Sequence, residues 1–403
     1  MSMTITMTMS RSTSASTFAS SRVHLFTDKV GSGSAYIMHM PTPFSIQQSP
    51  FSQHPYQHPG QGMSSSSSSR PQTWLVVGAS RGIGLEFTAQ LLALGHTVIA
   101  TARSPALSLL PLLSPAAQAS SSSRPPSNAS RLWSLTGGPN GRNLTILECD
   151  VADESSIGAF VQEVARLGRG RRLLLDAVVL NAGVLEYPGR VAESSFSSFA
   201  HHLHTNTIGP LVTASQLLSL SSANTPSNPS NPSNPLTPTY PNASIHIRTL
   251  VFISSDSGSA TRFRSFEDGF GVYSASKAAL NQGLRHLAAE LYRKHRAPPA
   301  GASKQHSPLS ISSLIETEER ERTVVLALHP GEVATDMANV HLGWEVEGII
   351  SVKESVRGML GVVGEKGWGG SDEGGVRSAR MEGRREEDGA ATFWTWQGVR
   401  YPW

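Results

Sequence analysis

The chain has 403 residues, enough to bury a large core, with 33 Lys and Arg against 30 Asp and Glu and a net charge of +3. The basic residues are scattered and do not alternate with aromatics, which argues against a nucleic-acid partner. A single cysteine, Cys149, excludes an intrachain disulfide and suits a reducing compartment, and no apolar run reaches the roughly 18 residues of a membrane span.

Residues 1–70 are dominated by Ser, Thr, Met, Gln and Pro and end in the serine tract 64–69. Too little apolar surface is present there to offset ordering entropy, so a disordered tail is expected. The first thirty positions, with Arg11, Arg22 and no acid before Asp28, also have the composition of a mitochondrial presequence. A cytoplasmic location is therefore expected, with mitochondrial targeting through this segment as the alternative.

The folded part begins near Pro71. In chain order the pattern predicts a strand at 74–77, a helix at 84–94, strands at 97–101 and 145–147, a helix at 155–167 and a strand at 173–180. A helix about 196–220, a strand at 248–253, a helix at 273–294 and a strand at 323–328 follow. Strand and helix alternating in this way give βαβ units. The expectation is α/β: one Rossmann-type doubly wound parallel sheet with helices on both faces, spanning 71–403. Biased stretches near 115–140, 221–244, 297–321 and 364–389 lack periodicity and read as low-complexity surface insertions, which loops tolerate.

Directly after the first strand stands Gly78-Ala79-Ser80-Arg81-Gly82-Ile83-Gly84, followed at once by a helix. Glycines allow a tight turn and close approach of backbone to a pyrophosphate, and the helix N-terminus offers unpaired N–H groups to the anion. The spacing Gly-x-x-x-Gly-x-Gly resembles that of the short-chain dehydrogenase/reductase family. At the end of the second strand an acid would hold both ribose hydroxyls, whereas here the chain runs Thr101-Ala102-Arg103. Arg103 with Arg81 suits the extra phosphate of NADP(H), which is the expected cofactor, NAD(H) being the second option; no metal is expected.

Tyr273-Ser-Ala-Ser-Lys277 places a phenol and an ammonium one helical turn apart, where a cation would stabilise the phenolate and bring the proton within reach of neutral pH. The strand before it ends in Ser254-Ser255-Asp256-Ser257-Gly258. The family resemblance puts the substrate-orienting hydroxyl at Ser255, three residues before the glycine, with Ser254 the neighbouring alternative. It implies that Tyr273 is the general acid and base, that Lys277 also holds the nicotinamide ribose, and that Asn206 organises a water linking Lys277 to solvent. It further assigns Asp150 to the adenine amino group and Val151 to its ring. Asn181, Ala182 and Gly183 would support the cofactor pocket, and the turn with Pro330, Gly331, Val333 and Thr335 would clasp the carboxamide.

The resemblance covers about 74–361, with a final match at 391–403, and within the family Thr-Ala-Arg, Leu-His-Pro-Gly and the aromatic tail look like the sniffer and C-factor branch of carbonyl reductases. The expected reaction is interconversion of an aldehyde or ketone with an alcohol. A dinucleotide-sensing regulator on the same fold is the rival, although such proteins commonly lack the Tyr or Lys that this chain has. The resemblance also implies pairing of subunits into a homodimer through the helices at 196–220 and 273–294, against which stands the Ser-Asn-Pro insertion that starts directly after the first of these and would obstruct a neighbour, so the oligomer is left open. Two departures border the substrate pocket: the interval from Ser255 to Tyr273 carries Arg262, Arg264, Glu267 and Asp268, and Glu332 stands where an apolar residue is usual.

Overall fold

The computed structural model describes residues 70–104, 128–170, 172–221, 245–296, 322–340, 346, 348–384 and 389–403. The expected N-terminal tail to residue 69, the first half of the stretch 115–140, the Ser-Asn-Pro stretch from 222 and all of 297–321 lie outside the described residues.

Seven strands form one parallel sheet: β1 (Thr73–Val77), β2 (Thr97–Ala102), β3 (Leu144–Glu148), β5 (Ala177–Leu180), β7 (Thr249–Ile253), β8 (Val324–His329) and β9 (Thr392–Thr395), in the order β3-β2-β1-β5-β7-β8-β9. Two further strands, β4 (Leu173–Leu175) and β6 (Ile245–Ile247), pair with each other. Successive side chains of a strand point to opposite faces, so both faces of a fully buried strand must be apolar. In β1, Leu75 and Val77 accordingly join one core cluster while Trp74 and Val76 join the other.

The first cluster is covered by α3 (Glu154–Leu167), α5 (Gly209–Ser219) and α6 (Gly271–Arg296), through Phe160, Leu217 and Leu284 among others. The second is covered by α1 (Gly82–Ala93), α2 (Asn128–Ser134) and α7 (Val352–Lys366), through Phe87, Leu132 and Met359. Helices thus lie on both faces, and each fully buried Leu or Phe contributes roughly 1.5–3 kcal/mol. Strand order reverses between β1 and β5, which opens a crevice beyond their C-terminal ends.

The apolar run 173–180 reads as one strand but is two. Asp176 breaks it: its carboxylate accepts from the Thr73 amide at 2.9 Å and pairs with Arg70 at 2.6 Å and Arg248 at 2.8 Å. Arg248 is the break between β6 and β7, so one ion pair interrupts both runs at the same level of the sheet.

Two stretches expected to be irregular are partly ordered. In 128–143 the short α2 buries Leu132 completely, and Asn140 donates from Nδ2 to the Leu92 carbonyl at the end of α1. In 364–384, α7 runs on to Lys366, whose buried ammonium meets Asp372 at 2.5 Å and Ser378 at 3.1 Å, ahead of the short α8 (Val376–Met381). Low periodicity hid these because each contributes only a few inward residues. Among the described residues, no helix is long and apolar enough to cross a membrane, and no group of His, Cys, Asp and Glu is arranged to hold a metal ion.

Candidate active site

The glycine turn lies at the crevice. Gly78 has φ +86° and Gly82 φ +52°, the left-handed region that favours glycine, and a Cβ on Gly78 would lie 2.7 Å from the Ala182 backbone. The turn is tied to its neighbours by the Gly78 amide donating to Thr101 Oγ1 at 3.0 Å and by Asn181 Nδ2 donating to the Gly78 carbonyl at 2.8 Å. Helix α1 then starts with no side chain capping it and no acid in its first turn. Asp153, Ser195 and Ser351, by contrast, cap α3, α4 (Phe196–Leu203) and α7. The α1 terminus is left with free N–H donors and positive dipole facing the cleft, the arrangement an anion fits.

From this turn a cleft runs past Arg81, Arg103, Asp150 and Val151 at one end to Asn181, Gly183, Tyr273 and Lys277 at the other. A second cavity, about 760 Å³, holds Ser255, Asp256, Arg264, Phe270, Gly331 and Val333. The two share a wall made of Ile83, Ser254, Tyr273, Pro330, Thr335, Asp336 and Met337. Of the residues singled out in sequence, Ser80, Gly84 and Asn206 are not among those that line the cleft, and Ser255, Gly331 and Val333 line the second cavity instead. Asp336, Met337, His201 and Thr205 also line the cleft; His201 comes from α4, Thr205 from the helical turn that carries Asn206, and Asp336 and Met337 follow Thr335, so each is a neighbour of a motif rather than part of one.

Helix α6 carries Tyr273 and Lys277 on one face. The Lys277 ammonium is 4 % exposed and donates to the last carbonyl of β7, Ile253 O, at 2.9 Å; it lies 5.8 Å from the Tyr273 ring centre. Burial lowers its pKa to about 8. The Tyr273 phenol is pushed above its ordinary value, first by burial and then by Asp256, Glu332 and Glu267, against the lowering effect of its hydrogen bond with Ser255. Lys277, expected from the sequence to lower the phenol, is not among the groups that shift it; its ammonium is hydrogen-bonded to the strand carbonyl.

The two candidate serines divide as strand alternation requires. Ser254 Oγ donates to Asn281 Oδ1 at 2.6 Å inside the core, whereas Ser255 meets Tyr273 and donates to Asp256 Oδ1 at 3.1 Å. Gly258 ends the tight turn that follows, where a Cβ would be 2.7 Å from Lys277 Cβ; only glycine lets this turn sit against α6.

Asn206 lies in a π-helical turn, His204–Ile208, between α4 and α5, the kind of irregularity found at functional sites. Its Oδ1 accepts from the Val184 amide at 2.8 Å, and its Nδ2 donates to the Val184 carbonyl at 2.9 Å and to Ser276 Oγ at 3.0 Å. The side chain therefore braces the turn after β5 against α6. On the opposite wall, Gly331 with φ +85° lies where a Cβ would strike Trp396 at 2.7 Å, and the Trp396 amide donates to His329 O at 2.8 Å. His329 Nδ1 accepts from the Asp256 amide at 3.2 Å, and burial keeps its pKa low, which makes it a structural acceptor.

The crystal structure of NADPH-bound carbonyl reductase from chicken fatty liver is similar to this chain, with a TM-score of 0.54 and 25 % identity, covering 83 % of this chain and all of that one. An uncharacterized oxidoreductase of Schizosaccharomyces pombe is 25 % identical over 267 residues, 66 % of this chain and 75 % of the relative. These likenesses are to oxidoreductases of the short-chain dehydrogenase/reductase type, which the glycine turn and parallel sheet of this chain resemble. It is an oxidoreductase. Another uncharacterized oxidoreductase, from Saccharomyces cerevisiae, is 25 % identical over 276 residues, 67 % of this chain and 78 % of the relative. No family model matches the chain.

Proposed function

We propose that this oxidoreductase reduces an aldehyde or ketone to an alcohol with NADPH, Tyr273 giving the proton, and that it falls among the carbonyl reductases of its family. The observation that carries the reading is the position of Tyr273 in the wall shared by the glycine-lined cleft and the 760 Å³ cavity. The similarity to an NADPH-bound carbonyl reductase supports it.

The fit of a dinucleotide rests on the uncapped α1 terminus, the glycine cradle that a Cβ would fill, and Arg81 and Arg103 at the far end of the cleft. NADPH, when bound, supplies the hydride. Arg81 and Arg103 would hold the 2′-phosphate, the 78–84 turn the pyrophosphate, and Asp150 and Val151 the adenine. Asn181, Ala182, Gly183, Pro330 and Thr335 would line the nicotinamide end.

A phenol whose pKa is raised is fully protonated at neutral pH, so Tyr273 enters as an acid and gives its proton to the carbonyl oxygen as that oxygen becomes a far more basic alkoxide. Ser255 orients the carbonyl, Lys277 supplies positive charge behind the phenol, and Asn206 holds the 182–184 turn in place. The test is NADPH oxidation by the full chain with a panel of aldehydes, ketones and quinones, beside Tyr273→Phe. Turnover that collapses in the variant while NADPH still binds is the expected result. Undiminished turnover in Tyr273→Phe would refute the assignment, and absence of NADPH binding would refute the reading of the glycine turn.

A further inference from the structure

We propose that the cavity beyond Tyr273 selects substrates by charge, accepting carbonyl compounds that are cationic or neutral and rejecting those that carry a carboxylate, with Glu332 as the specificity-determining residue. The proposal rests on the reading of that cavity as the carbonyl site.

The cavity wall holds three carboxylates around one guanidinium. Arg264 is ion-paired with Asp256, lies 3.0 Å from Glu267 through Nε, and lies 3.5 Å from Glu332. The first two acids are enclosed, each with a side chain 10 % exposed, and have further internal donors. Asp256 Oδ1 accepts from the Ser257 amide at 2.8 Å and from Ser255, and Glu267 is bonded by the Ser257 side chain. Glu332 differs on both counts. Its side chain is 39 % exposed, and its contact with Arg264 is the longest of the three. Its backbone is pinned, because its carbonyl accepts from the Ile350 amide at 2.9 Å, so the carboxylate stays on the cavity rim.

No other cation offsets this charge among the described lining residues. His329 is the remaining basic side chain, and burial holds it neutral. Asp336, also on the wall, adds a further negative charge. The rest of the lining includes Leu185, Phe266, Phe270 and Val340, apolar groups that exclude water and leave the field of Glu332 less screened. A substrate group that reaches the rim therefore meets net negative charge over an apolar floor. With charges about 7 Å apart and an effective dielectric of about 40, each sign of substrate charge changes affinity by roughly sevenfold, or about fiftyfold between cation and anion.

Three matched probes test this: 4-(trimethylammonio)benzaldehyde, 4-nitrobenzaldehyde and 4-carboxybenzaldehyde. Their dissociation constants are measured by quenching of bound NADPH fluorescence in the catalytically silenced Tyr273→Phe protein, with and without Glu332→Gln, and kcat/KM is measured in the parent and in Glu332→Gln. The expected order of affinity is cation, neutral, anion, spanning at least tenfold. Glu332→Gln should narrow that span severalfold, and Glu332→Lys should narrow it further. Equal affinity for all three, no binding of any at millimolar concentration, or a span unchanged by both substitutions would overturn the proposal. Ordered binding without turnover in the parent would leave charge selection standing and refute the reductase chemistry instead.

Discussion

Replacing Gly258 with alanine tests the site through its packing. The Asp256–Gly258 turn lies directly on α6, and the added Cβ would be 2.7 Å from Lys277 Cβ, 2.8 Å from the Lys277 carbonyl carbon and 3.1 Å from the Ala278 nitrogen. Ordinary contact begins near 3.4 Å, so turn and helix must part by about 0.7 Å. None of the atoms met is the end of a flexible chain, and the strain cannot be relieved by a rotamer change. Overpacking of this kind costs about 1–3 kcal/mol of stability. The displacement also falls between Ser255 and Lys277, and since a shift of 1 Å can cost about a hundredfold in rate, kcat should drop by roughly 10- to 100-fold. Urea unfolding and NADPH-linked kinetics measure the two effects, with Gly158→Ala in α3 as the control. A Cβ there meets nothing within 4 Å, and this change should add about 0.5–1 kcal/mol of stability through helix propensity. Parent-like stability and kcat in Gly258→Ala would refute the argument that glycine sets the distance between turn and helix.

Other outcomes follow from the same contacts. Lys277 is depressed to about 8 by burial, so its charge costs stability in full below that pH, and the cost fades as pH rises toward the unfolded value near 10.5. Unfolding free energies of the parent and Lys277→Met, compared at pH 7 and pH 10, should therefore converge; a difference that does not change with pH would contradict the assignment. Ser254→Ala should cost about 1–3 kcal/mol by leaving the buried Asn281 Oδ1 without its donor and should change kcat little. Ser255→Ala should lower kcat by about 100- to 1000-fold with little loss of stability, and steady-state kinetics beside thermal unfolding separates the pair. Arg103→Asp should weaken NADPH by roughly 10- to 100-fold and leave NADH unaffected or improved, read by titrating each cofactor.

The parts of this molecule that announce themselves in sequence are those fixed by local rules. Gly78 and Gly82 are legible because a turn of that shape leaves few alternatives to glycine, and Tyr273 with Lys277 because helical spacing alone puts them on one face. Strand alternation separated Ser254 from Ser255 in the same way. What stayed hidden depends on partners distant in the chain. The run 173–180 looks continuous because the break at Asp176 is made by Arg70, Thr73 and Arg248. Helix α7 contains Gly358, Gly361 and Gly364, which blur its pattern; Gly358 is glycine because Trp396 O would lie 2.5 Å from a Cβ. The pairing of Arg264 with three acids was equally out of reach, although Arg264, Glu267 and Glu332 were visible as departures beside the pocket.

The contact between Trp396 and Gly331, together with β9 lying beside β8, gives this site an order of assembly. The phosphate turn, Asn206, Ser255, Tyr273 and Lys277 all precede residue 300, yet the wall at Pro330–Thr335 is braced by residues from the C-terminal segment. During synthesis a nascent chain could close the dinucleotide end of the cleft well before the ribosome has released the strand that steadies the other end. The site is thus completed by a strand that follows all of its reactive groups in the chain, and a ribosome that stops short of β9 leaves those groups in place and their opposite wall unsupported.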